Sequence, residues 1–145
     1  MQLKQLTPNL MVRDLQVSAA FYQNILGFSI RMGVDEEKNI HVTGISAETN
    51  LIYAQLERDG VEMMLQQQSS MVEDLPIFSG CNIGASVSFY MIVENIDELF
   101  QQVRGKADCI REPETTWYGM REFYLRDPDG YILGFAEQQV KQSNG

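Results

Sequence analysis

The sequence predicts an α+β fold made of two tandem βαβββ modules. Three observations carry that expectation: each half holds one helix signal with an apolar face, one strand-like segment before it, and a run of strand-like segments after it. The halves also read alike in detail. Val12-Arg13-Asp14-Leu15 matches Val93-Glu94-Asn95-Ile96, and the stretch Leu56 to Val61 loosely matches Leu125 to Tyr131. The expected organisation is a single domain over 1–140, with module one at about 5–68, a linker at about 69–85, module two at about 86–138, and a polar tail at 139–145.

In module one a strand is expected over 7–12, followed by a helix over 14–26. Asp14 or Ser18 caps that helix, Val17, Phe21, Ile25 and Leu26 mark its apolar face, and Gly27 stops it. Strands follow over 27–33, 40–45, 51–57 and 61–67, the last pair joined by Asp59-Gly60, a strong hairpin signal. The stretch QQQSSMVEDLPIFSGCNIG lacks periodicity and reads as the connection between modules.

In module two a strand over 87–93 precedes a helix over 96–104, with Asn95 or Asp97 as its cap and Gly105 as its stop. Its apolar residues Ile96, Leu99, Phe100 and Val103 fall on one helical face. Strands are expected over 107–111, 121–126 and 131–136, with Asp129-Gly130 as the second tight turn. Neither half buries much core by itself, so the two sheets are expected to join, edge to edge or through a partner chain.

Composition narrows the function classes. The net charge is −9, from 20 acidic and 11 basic residues, which repels phosphate backbones and argues against a nucleic-acid partner. No apolar run reaches the roughly 20 residues that span a bilayer, and the start MQLKQLTPN has no signal-peptide h-region. Cys81 and Cys109 form no metal-type cluster and read as reduced thiols, so a cytoplasmic protein is expected. No nucleophile elbow, Cys–His pairing or phosphate loop is present, and no catalytic residue is assigned.

Two stretches carry a family resemblance. Residues 10–28, LMVRDLQVSAAFYQNILGF, resemble the opening strand, helix and "LGF" exit of the glyoxalase/bleomycin resistance protein/dioxygenase (vicinal oxygen chelate) superfamily. Residues 117–131, WYGMREFYLRDPDGY, resemble the W-G-R-E-F-x-L-R-D-P-x-G signature of its bleomycin-resistance branch, with Tyr118 inserted between Trp117 and Gly119. Residues 87–99, VSFYMIVENIDEL, fit the same family's central strand and helix. The resemblance implies an incompletely closed eight-stranded sheet around a cleft, and a homodimer.

Metalloenzymes of that superfamily hold a divalent ion with His, Glu or Gln from the first and fourth strand of each module. Carried onto this sequence, those positions are Thr7, Met64, Ser88 and Gly134, with Asn9, Glu62 and Gln66 recruited by a two-residue shift that keeps strand parity. Hydroxyls, a thioether and a glycine do not chelate a hard ion, and the single histidine, His41, lies in a second-strand run. No metal and no cofactor is therefore expected.

The same inward positions, by alternation, make a small-molecule site. The candidate ligand-binding residues are Trp117, Tyr90, Tyr124, Met64, Glu62, Glu122, Ser88 and Asn9. Aromatic rings stack on flat ligands or hold cations, methionine adapts to irregular shapes, and the two glutamates favour positive charge. Gly134 is expected to leave open space, and Arg121 with Glu122 reads equally as a surface pair. The expected function is a non-catalytic protein that sequesters a flat or cationic small molecule in a dimer cleft, as bleomycin resistance proteins sequester their drug. The alternatives are a metal-dependent glyoxalase, lyase or dioxygenase of the same superfamily, and a structural or regulatory dimer.

Overall fold

The computed structural model describes residues 1–139; of the expected polar tail at 139–145, all but Gln139 lies outside them. The chain divides into two compact units, one over Met1–Ile83 and one from Gly84 onward. Each carries one βαβββ module with its own open sheet.

The first unit runs β1 (Asn9–Val12), α1 (Leu15–Asn24), β2 (Ser29–Asp35), β3 (Ile40–His41), β4 (Leu51–Arg58), β5 (Val61–Gln67) and α2 (Gln68–Asp74), then a 3-10 turn at Pro76–Phe78. Its sheet has the order β1-β5-β4-β2-β3, with β1 parallel to β5 and the other pairs antiparallel. The Asp14 carboxylate caps α1 by accepting from the Gln16 and Val17 amides. One face of α1 buries Leu15, Ala19 and Tyr22 on the sheet residues Leu10, Val12, Ala54, Leu56 and Leu65. Asp59 and Gly60, with φ of 52° and 83°, make the two-residue β4–β5 turn, matching the right-handed strand twist.

The second unit repeats the plan: β6 (Ser88–Ile92), α3 (Ile96–Val103), β7 (Asp108–Thr115), β8 (Met120–Arg126) and β9 (Ile132–Gln138). The sheet order β6-β9-β8-β7 is the counterpart of β1-β5-β4-β2, again with the first strand parallel to the last. Ile96, Phe100 and Val103 of α3 are buried along with Phe123, Leu125, Leu133 and Phe135, and the Phe123 and Phe135 rings stack at 4.9 Å.

Several local expectations change. The expected strand over 40–45 shrinks to the two residues Ile40–His41, which lie at the edge of the first sheet as β3. The stretch read as a linker contains α2 and the 3-10 turn, and Met71 of α2 is buried. That helix has no side-chain N-cap, which removes the usual sequence signal. Asn95 does not cap α3 through its side chain; it sits at φ 58°, and the Glu137 carboxylate of β9 accepts from the Asn95 and Ile96 amides instead. The turn at Asp129-Gly130 spans a longer connection, in which Asp127 Oδ1 accepts from the amides of Asp129 and Tyr131, each at 2.9 Å.

Candidate functional site

Strand alternation gives each sheet a face opposite its helix, and the expected site residues divide between the two such faces. On the first unit, Asn9 of β1 lies opposite Met64 of β5, which lies opposite Gln55 of β4. The Asn9 amide donates to Gln66 Oε1 at 2.9 Å, and Gln66 in turn donates to the Ser70 hydroxyl of α2 at 3.0 Å. Tyr53 directs its hydroxyl at the Met64 sulfur, and Gln5 donates to the Glu62 carboxylate. A depression of about 310 Å³ opens here, lined among others by Thr7, Arg31, Gln55, Glu62 and Met64.

On the second unit the corresponding row is Tyr90 of β6, Gly134 of β9, Tyr124 of β8 and Arg111 of β7. Beside it on β8 lies Glu122, opposite Ala136 and Glu114. Its side chain is wholly buried, at 0% exposure. Both carboxylate oxygens are occupied: Tyr90 donates its phenol to one, Arg111 Nη2 donates to the other at 3.0 Å, and Tyr118 donates to either at 2.8 Å. Such saturation is what allows a carboxylate to lie out of water. The Tyr90 phenol is pushed well above its ordinary range, by burial first and then by its bond to Glu122. Tyr118 shifts the same way, chiefly through its bond to Glu122, so both remain proton donors at neutral pH.

The surface above this carboxylate is aromatic. Tyr90 is 45% exposed and Tyr118 49%, and Trp117, on the β7–β8 loop, is 95% exposed with its ring perpendicular to that of Tyr118 at 5.2 Å. The Arg111 guanidinium stands 4.7 Å from the centre of the Tyr124 ring. Its charge faces both Glu122 and Glu114, the latter at 3.7 Å.

The structure thus brings Tyr90, Glu122 and Tyr124 together, sets Trp117 on the adjoining loop, and places Ser88 at the exposed start of β6 opposite Ile132. Asn9, Glu62 and Met64 belong to the other unit's sheet. Three expectations are corrected. Glu122 is not a free acid awaiting a cation, because its charge is already matched by Arg111. Nor does it form a surface pair with Arg121, which points to the opposite face and grips Asp97 with Nε and Nη2 at 2.9–3.0 Å. Gly134 leaves no open space, since a Cβ there would fall 2.7 Å from the Tyr124 ring.

Two members of the cluster escape a reading by alternation. Cys109 pairs with Leu125, so strict alternation puts Ile110 opposite Tyr124; a β-bulge puts Arg111 there. Tyr118, legible only as an insertion in the W-G-R-E-F pattern, supplies the second phenol to Glu122.

These donors do not fit a divalent metal. Thr7 and Ser88 offer neutral hydroxyls, Met64 a soft thioether and Gly134 no side-chain donor, while Gln66 Oε1 already accepts from Asn9. Among the described residues no three His, Cys, Asp or Glu side chains are grouped to hold an ion. His41 instead bonds Asp35 Oδ2 at 2.8 Å within the β2–β3 hairpin.

The profile of the Glyoxalase/Bleomycin resistance protein/Dioxygenase superfamily matches residues 2–135. Bleomycin resistance proteins of Geobacillus stearothermophilus and Staphylococcus aureus are each 29% identical over 140 residues, covering 92% of this chain and 96% of theirs. Among solved structures, a protein of unknown function from Agrobacterium tumefaciens aligns with TM-score 0.72 at 22% identity, covering 95% of this chain and 96% of its own. A glyoxalase/bleomycin resistance protein/dioxygenase from Nocardioides aligns with TM-score 0.68 at 18% identity, covering 100% of this chain and 90% of its own. The paired βαβββ modules and the matched sequence place this chain in the Glyoxalase/Bleomycin resistance protein/Dioxygenase superfamily.

Proposed function

We propose that the protein is a metal-independent small-molecule-binding protein that sequesters a flat or cationic ligand, working as a homodimer in the cytoplasm. The observation that carries this reading is the saturated Glu122. A carboxylate whose oxygens already accept from Tyr90, Tyr118 and Arg111 is poorly placed to remove a substrate proton, yet it fixes a set of rings at the surface. Exposed ring faces on a rigid sheet suit stacking and cation recognition. The net charge of −9 favours approach of a cation, and Glu122 and Glu114 offset the one guanidinium in the cluster. Two exposed free thiols, Cys81 and Cys109, suit a reducing compartment.

The relation to bleomycin resistance proteins supports sequestration as the mode of action: tight binding lowers the free ligand by mass action, and no bond is broken. The test is calorimetric titration of chelator-treated protein with metal-free bleomycin, alongside Trp117→Ala. The wild type is expected to bind saturably, and the variant to keep its melting temperature while binding at least about tenfold more weakly, as the loss of an aromatic anchor implies. Equal affinity in the two proteins would refute Trp117 as a contact; no binding by the wild type would refute bleomycin-like recognition.

A further inference from the structure

We infer that Glu122 is a positioning residue for Trp117, acting through the inserted Tyr118, so that a buried carboxylate holds the exposed indole ready for a planar ligand. The inference rests on the binding reading above and assigns a role to two residues which that reading leaves as support.

The backbone of the β7–β8 loop is closed at its base. Gly119 N donates to Thr116 O at 3.1 Å, Thr116 N donates to Met120 O at 2.8 Å, and Gly119 takes φ 83°. The side chains at its tip have no such frame. Trp117 is 95% exposed, and its ring contact is a perpendicular one with Tyr118. Tyr118 is itself half exposed but is fixed at its far end, where the phenol donates to both oxygens of Glu122 at 2.8 Å. Glu122 cannot swing away: it is enclosed, on a central strand, and held by Tyr90 and Arg111. A chain of contacts therefore runs from the sheet to the indole, through one hydrogen-bonded phenol. Ordering a side chain before the ligand arrives removes that entropic cost from binding. Without the phenol hydroxyl the ring at 118 loses its anchor, and Trp117 samples many orientations.

The experiment compares wild type, Tyr118→Phe and Tyr90→Phe. Tyr118→Phe keeps the ring and removes the hydroxyl that bonds Glu122 and, within the loop, Thr116. Tyr90→Phe removes the other phenol from the same carboxylate without touching the loop, and so separates the tether from a general disturbance of Glu122. The first readout needs no ligand: steady-state and time-resolved anisotropy of Trp117, the only tryptophan, with acrylamide quenching. The expected result is faster depolarisation in Tyr118→Phe and wild-type values in Tyr90→Phe. The second readout is the affinity for metal-free bleomycin, expected to fall about 3- to 10-fold in Tyr118→Phe, the worth of one pre-ordered side chain. Unchanged Trp117 anisotropy in Tyr118→Phe, or an equal loss in Tyr90→Phe, would overturn the tether whatever the affinity. A wild type that ignores bleomycin while Tyr118→Phe loses anisotropy would keep the tether and reject the binding reading, so the two fail separately.

Discussion

A Cβ on Gly134 would fall 2.7 Å from Tyr124 Cε1, so the Tyr124 ring lies where a side chain at 134 would stand. The two residues are cross-strand partners on β9 and β8, and the glycine is what lets the ring lie across the sheet, next to the Arg111 guanidinium. Gly134→Ala should therefore destabilise the protein by about 1–3 kcal/mol through overpacking. The same substitution in a Tyr124→Ala background should be nearly neutral, because the clash is gone. Urea denaturation of the four proteins in this cycle measures the coupling; additive effects would contradict the contact.

Glu122 and Arg111 form the charged centre of the same face. Glu122→Ala should cost about 3 kcal/mol, as expected when one member of a buried pair is removed and its partners lose their acceptor. Arg111 is partly exposed and can rehydrate, so the cost should stay at the lower end for such pairs. Chemical denaturation checks this, and a loss below about 0.5 kcal/mol, the range of ordinary surface substitutions, would show that the cluster contributes little.

The β2–β3 hairpin carries a titration of known sign. The Asp35 carboxyl is lowered from 3.8 to about 2, first by its bond to His41 and then by the Asn39 amide. A depressed carboxylate contributes stability that is fully present above its unfolded value and lost as pH falls through its folded one. The stabilisation is thus complete above pH 3.8 and fades as the pH drops through about 2. The melting temperature of Asp35→Asn should lie below that of wild type at neutral pH, with the gap closing across that acid window. A gap that persists at the acid end would contradict the assignment.

Helix caps give a further check. Asp14→Ala removes the α1 cap, and Glu137→Ala removes the carboxylate that receives the first amides of α3; each should cost about 1 kcal/mol. Asn95→Gly should be neutral or slightly stabilising, since the residue sits at φ 58° and makes no side-chain cap. Thermal unfolding of the three variants distinguishes this arrangement from a cap made by Asn95 itself.

Much of the fold is legible because its signals are local. Asp14 before an apolar helix, Gly27 after it and Asp59-Gly60 between two strands each determine backbone geometry within a few residues. What is not legible depends on residues distant in sequence. Glu137 caps a helix that begins 41 residues earlier, at Ile96. The strand β7 reads as ending before Pro113 but continues to Thr115, because an edge strand with an irregular register tolerates a proline.

The site divides in the same way. Alternation places Tyr90, Glu122 and Tyr124 on one face, because strand parity is a local property. It misses Arg111, which reaches that face through a bulge, and it does not show that Glu122 is sealed beneath two phenols. Burial and hydrogen-bond saturation arise from the packing of β6, β7 and β8 with the loop, and no spacing in the sequence encodes them.

The central claim, that this chain binds a ligand without a metal, is tested most directly by Trp117 emission. Protein first confirmed metal-free by elemental analysis is titrated with metal-free bleomycin, and the emission of the only tryptophan is followed. A saturable change in intensity is expected before any metal is added, unaltered when a divalent ion is then supplied. Stoichiometric metal in the purified protein, or a response that appears only after metal is added, would contradict it.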